Sequence, residues 1–240
     1  MPVGSVRDML IEYNFGQASR KRHDAPHPDF IQYTLNNVRG RWNIGTIRWN
    51  AYLRGEGPED VVDASGFFIQ ATPSSSTARL HGRVYGNLYC GGTADGFALD
   101  FAEPDLMFEN NVILRALSGP NARVPSPCRF PNAYGGVARR NVTNAGFDLS
   151  EYNLSETLFN KLLGLSPAEY AEAFVNPQWD TNFASLAEAM QAWAPVEGGP
   201  LQNDDGSYSG WMFPADSDGT ARINTGRPWV KDRPDRSPGS

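Results

Sequence analysis

The chain has 240 residues, a net charge of −6, 40% hydrophobic and 20% charged residues, and two cysteines. That is enough chain for an ordinary hydrophobic core in one large or two small domains. An acidic chain without a basic stripe argues against nucleic acid as the main partner, no apolar run approaches the roughly 18 residues of a membrane helix, and the first residues lack the basic-then-apolar order of a secretory signal.

Cys90 and Cys128 fit neither a zinc spacing nor a disulfide framework and read as buried thiols. Three of the 21 basic residues, Lys21, Lys161 and Lys231, are lysine and the rest arginine, the better residue for forked contacts to carboxylates and for stacking on rings. With 24 Gly, 18 Pro and 12% aromatic residues, the composition points to turns and irregular segments with aromatic anchors, not to long helices.

Residues 1–39 are expected to form an N-terminal helix and an extended basic arm. Ser5 stands three residues before Asp8 as a cap, and Val6, Met9 and Leu10 give an apolar stripe, so the helix covers 1–14. The arm carries Arg20, Lys21, Arg22 and His23, then Pro26 and Pro28. His23 and His27 share a helical spacing that the two prolines forbid, so they are not read as metal ligands.

From 40 to 117 the pattern has period two, in runs at Arg41–Leu53, Val61–Ala71, Ala78–Cys90, Gly96–Phe101 and Met107–Leu117. Short, turn-rich connections predict an antiparallel body, a barrel or a sandwich. In the third run Arg79, His81, Arg83, Tyr85, Asn87 and Tyr89 alternate with Leu80, Gly82, Val84, Gly86, Leu88 and Cys90, and the small apolar set reads as the packed face.

Residues 118–150 read as a Pro/Gly-rich loop. In 151–220 three helices are expected: one opened by Ser155 and Glu156, one by Ser166-Pro167-Ala168-Glu169, and one over Asn182–Ala194. A short aromatic strand around Tyr208–Phe213 follows, and 221–240 is a polar Pro-rich tail. No internal repeat is apparent. The expected fold is therefore α+β: a mostly antiparallel sheet of about five to six strands, a short N-terminal helix and a C-terminal group of two to three helices.

Chemical signatures are sparse. With Gly206 or Gly219 at the sixth position of a calcium loop, the first and twelfth residues cannot supply charged ligands. Gly206–Gly210 has the outline of a nucleophile elbow with tyrosine at its centre. Carboxylates gather at Asp100, Glu103, Asp105 and Glu109, in a stretch that reads as a solvated loop. Asn141-Val142-Thr143 and Asn153-Leu154-Ser155 match glycosylation acceptors, which carry no meaning without a secretory signal. No cofactor and no metal are expected.

Two functions fit. The first is a structural subunit of a large assembly, with a virion or a phage head or tail component the most natural case, made in the cytoplasm and partnered by copies of itself or other subunits. Its contacts would fall on Arg20, Lys21 and Arg22 at one end and Arg227, Trp229 and Arg233 at the other, Trp and Arg being the residue types that most often anchor interfaces. The alternative is a cofactor-free β-barrel enzyme or small-molecule binder of hydrolase, isomerase or cyclase type. There His81, Arg83, Tyr85 and Asp100 would be catalytic and Arg79 and Tyr89 would bind.

Overall fold

Alternating residues do form strands over much of the chain, but nearly all of these strands pair in parallel. The computed structural model describes residues 9–17, 20–21, 29–35, 40–53, 62–63, 65–71, 78–91, 97–99, 102–115, 128–129, 136–144, 156–164, 166–178 and 181–210. Strands β1 (Leu10–Glu12), β5 (Gly40–Arg48), β9 (Ala78–Tyr85), β12 (Ala102–Glu109), β15 (Val137–Arg139) and β17 (Glu156–Leu158) lie in that order in a first sheet. Strands β2 (Phe15–Gln17), β6 (Ala51–Leu53), β10 (Leu88–Gly91), β13 (Val112–Arg115), β16 (Val142–Asn144) and β18 (Lys161–Leu163) make a second, in the same sequence. A third holds β4 (Asp29–Leu35), β8 (Ser65–Ala71), β11 (Phe97–Leu99) and β14 (Cys128–Arg129). Between the second and third sheets, β3 (Arg20–Lys21) and β7 (Val62–Asp63) add a short antiparallel pair.

The chain thus visits the first sheet, the second and, in four coils, the third before returning to the first one rung further on. This is a parallel β-helix of six described coils. The expected antiparallel barrel or sandwich is overturned. Period two fixes that a segment is a strand, whereas the direction of its neighbour depends on where the connection returns, and here every connection carries the chain around a coil. The expected helix over 1–14 is corrected in its described part, where Leu10–Glu12 is a strand. The helix expected from Ser155 gives way to β17 and β18, because Phe159 and Asn160 turn the chain between them. Within 118–150 lie β14, β15 and β16.

Each corner from the first sheet to the second is made by two residues. The residue before the asparagine takes a positive φ: Tyr13 (59°), Trp49 (53°), Gly86 (64°), Asn110 (52°), Arg140 (52°) and Phe159 (54°). For a residue other than glycine that conformation costs on the order of 1–2 kcal/mol, so something must hold it. The holder is the next residue. Asn14, Asn50, Asn87, Asn111, Asn141 and Asn160 stack into one ladder. In it the backbone N–H and Nδ2 of each asparagine donate to Oδ1 of the next, at 2.8–3.2 Å. Nδ2 also donates back to a carbonyl of the preceding coil: Asn50 to Ile11, Asn87 to Ile47, Asn111 to Val84, Asn141 to Phe108 and Asn160 to Ala138. Asn50, Asn87, Asn111 and Asn141 are fully buried, which is tolerable only because their amides are satisfied.

Alternation then sorts the remaining side chains. Ile47, Val84, Phe108 and Ala138 are in register on the first sheet, and Tyr52, Tyr89, Ile113 and Thr143 on the second, all buried inside the coils. The rings of Tyr52 and Tyr89 stack at 5.6 Å. On the other face of the second sheet, Ala51, Leu53, Leu88, Cys90, Val112, Leu114 and Val142 form one core with Tyr170, Phe174, Leu186, Met190 and Trp193 of the C-terminal segment. The second sheet is therefore apolar on both faces, as a sheet covered on both sides requires.

That covering segment contains helices α1 (Pro167–Ala173) and α2 (Leu186–Ala192). Ser166 and Glu169 form the expected capping box with Pro167 in the first turn, and Ser185 caps α2 by accepting from Glu188 N. Gln17 of β2 donates to Phe183 O (2.7 Å) and accepts from Phe183 N (2.9 Å), pinning the segment to the first coil. Among the described residues no helix is long and apolar enough to cross a membrane.

Candidate functional site

The first sheet differs from the second on its outward face, which carries polar and charged groups. Register stacks Glu12, Arg48, Tyr85, Glu109 and Arg139 in one row, rungs about 4.8 Å apart. Arg48 is held on every side. Its Nε and Nη2 meet Glu12 Oε2 at 2.8 Å, Nη1 donates to Tyr85 Oη at 2.8 Å, and the guanidinium lies 4.0 Å from the centre of the Trp49 ring. Burial by itself would weaken the charge on Arg48; the hydrogen bonds to Tyr85 and Glu12 outweigh it and raise the pKa above the ordinary arginine value.

Further along the row the contacts loosen. Glu109 lies between Arg83 (3.8 Å) and Arg139 (3.9 Å), distances of ion pairing without hydrogen bonding. Arg83 also lies 5.1 Å from the centre of the Tyr85 ring and keeps 54% of its side chain exposed. Pairs this open contribute only about 0–1 kcal/mol each. The strip is accordingly a surface that can grip an anionic or hydroxyl-bearing group through Arg83, while Arg48 is committed to structure.

The corner ridge beside this strip has two halves. At the first coils it is aromatic: Tyr13 stacks on Trp49 (5.2 Å, 17°) and Trp49 meets Tyr85 edge-on (5.8 Å, 82°). At the later coils residues 203–210 clamp it. Asn110 Nδ2 donates to Gly210 O (3.0 Å), Gly210 N to Arg140 O, and Ser209 Oγ to Phe159 O, while Arg140 Nε donates to Ser207 Oγ (3.0 Å). Arg140 also reaches Asp205 at 3.4 Å. The hydroxyl and N–H of Ser207, and then Arg140, hold the Asp205 carboxyl below its usual range. This segment holds the residues read as a calcium-like turn and as a tyrosine-centred elbow; Tyr208 contributes a single antiparallel bridge to Gln202.

The residues singled out in the sequence scatter. Arg83 and Tyr85 are neighbours on the outward strip. Tyr89, beyond the Gly86–Asn87 corner, points into the coil and stacks on Tyr52, so it does not share their face. Arg79 and His81 lie on β9 in register with Arg41 and Asn43; their side chains are outside the described part, as is Asp100. Arg20 and Lys21 form β3, whereas Arg22, Arg227, Trp229 and Arg233 lie outside the described residues. Among the described residues no group of three or more His, Cys, Asp or Glu could hold a metal ion.

The sequence reading missed the ladder, placing Asn87 and Asn141 in other roles, and the row Glu12, Arg48, Glu109, Arg139, of which it named only Glu109, as part of a solvated loop. A signal for them exists: Ile11, Ile47, Val84, Phe108, Ala138 and Thr157 each stand three residues before a ladder asparagine. Compared with models of protein families, with curated proteins and with solved structures, the chain matches none.

Proposed function

We propose that the chain is a structural subunit of a large assembly built with copies of itself, a stiff β-helical strut, and that a virion, as a phage head or tail component, is its setting. The observation that carries this reading is the unbroken ladder of six asparagines, four of them fully buried. Such a polar seam resists axial bending because any shear between coils separates several buried hydrogen bonds at once. The interior supports the same reading: where a barrel enzyme would need a cavity, Tyr52, Tyr89, Phe108 and Ile113 fill the coil. The basic residues Arg20, Lys21 and Arg22 and the tail residues Arg227, Trp229 and Arg233 are proposed contacts with neighbours.

The test is the native mass of the full chain by light scattering over a concentration series, beside a chain lacking residues 221–240. A multimer is expected, with a lower mass for the deletion if the tail residues contribute. A single-chain mass at every concentration would refute the reading.

A further inference from the structure

The ladder runs in one direction, so its two ends are not alike. Every asparagine but the last passes its backbone N–H and one Nδ2 hydrogen to Oδ1 of the next coil. Asn14, the first rung, therefore ends in an Oδ1 to which nothing donates among the described residues, and Asn14 is exposed. Asn160, the last, accepts from Asn141 and donates one Nδ2 hydrogen to Ala138 O, leaving its N–H and the other Nδ2 hydrogen without an acceptor there. Among the described residues the sheets end in the same places: β1 and β2 are terminal strands at the Asn14 end, β17 and β18 at the Asn160 end. An edge of this kind is a template for another strand.

We infer that copies of this chain stack head to tail, the Asn160 N–H and Nδ2 of one copy donating to Asn14 Oδ1 of the next. The inference rests on the subunit reading above and adds its geometry. Donors at one end face acceptors at the other, with the strand edges of the first and second sheets continuing beside them. A second copy is the occupant because its own opposite end carries the missing half of the rung. The contact is heterologous, so it does not close on itself as a two-fold contact would, and repeated it generates a linear or helical row.

Two substitutions in the full-length chain test this. Asn14→Leu removes the acceptor at the head and keeps the backbone N–H that Asn50 Oδ1 accepts. Asn160→Asp keeps the oxygen that Asn141 needs and sets a carboxylate against Asn14 Oδ1. By light scattering the unsubstituted chain should gain mass with concentration without a plateau, and each variant alone should hold the single-chain mass. The two mixed should reach twice that mass and stop, since one intact tail meets one intact head. Should N14L fail to fold by circular dichroism, Asn14→Lys, which presents a cation to the Asn160 donors, replaces it. Variants that still multimerise like the parent, or a parent that forms a closed multimer, would overturn head-to-tail stacking and leave the subunit reading standing. A single-chain parent at every concentration would overturn both.

Discussion

Replacing Asn111 by alanine removes an inner rung of the ladder, the fourth of six. Its Oδ1 accepts from Asn87 N (3.1 Å) and Asn87 Nδ2 (2.9 Å), and its Nδ2 donates to Val84 O (3.1 Å) and Asn141 Oδ1 (3.0 Å). Two partners have relief elsewhere: Asn87 Nδ2 still reaches Ile47 O and Tyr85 O, and Asn141 Oδ1 still accepts from Asn111 N. The Asn87 N–H and the Val84 carbonyl lose these bonds, at a site where Asn111 itself is fully buried. At about 1–3 kcal/mol for each of these two groups, the loss is about 2–6 kcal/mol. For a chain of this length each kcal/mol lowers the midpoint by about 2–4 °C.

The control is Asn14→Ala, in which the same chemistry is removed at the exposed end. There Asn50 Oδ1 keeps the Asn14 N–H, and the cost should stay near 1 kcal/mol or less. Thermal and urea denaturation, followed by far-ultraviolet circular dichroism, measure both. If the two variants cost the same within about 0.5 kcal/mol, the resolution at which distant sites are taken as independent, buried amide pairing does not hold the coils together and the argument for a stiff strut fails with it.

Two other expectations concern the covering segment. Trp193 is fully buried and its indole N–H has no partner among the described residues, so Trp193→Phe, which removes that donor, should cost about 1 kcal/mol or less. Trp193→Ala should cost about 3–5 kcal/mol by denaturation, because it empties the space between Tyr170 and Phe174. The depressed Asp205 carboxyl gives a stabilisation present above its unfolded pKa and lost as pH falls through the folded value. Ser207→Ala should return that titration upward toward the ordinary aspartate range in a nuclear magnetic resonance pH series; an unmoved titration would show that Ser207 is not its main partner.

Local chemistry was readable in the sequence wherever neighbours in the chain decide the outcome. Ser166, Pro167 and Glu169 announce α1, and Asn182–Ala194 contains α2, because a cap is settled within one turn. The strands of 40–117 are equally visible as alternation, but their parallel pairing is not, since it is decided by partners 22 to 38 residues away. The helix expected from Ser155 shows the same limit: a short apolar run serves a strand as well as a helix. Asn141 is the sharpest case. It looks like a surface acceptor in Asn-Val-Thr and is instead fully buried, donating to Phe108 O. The outward strip was legible in part, at Arg83 and Tyr85, while Glu12 and Arg48 belong to rungs whose alignment only the fold provides.

The unequal intervals between ladder asparagines, 36, 37, 24, 30 and 19 residues, have a consequence for how such a chain changes over time. The corner and the strands beside it act as a ruler with fixed marks, and the differences in length fall between the second-sheet strand of one coil and the first-sheet strand of the next. Lengthening a loop costs little, about 0.6 kcal/mol per doubling, so an insertion there leaves the marks in place. The perimeter of each coil is free to be rewritten, and the surface offered to a neighbour can be exchanged without retuning the axis that carries it.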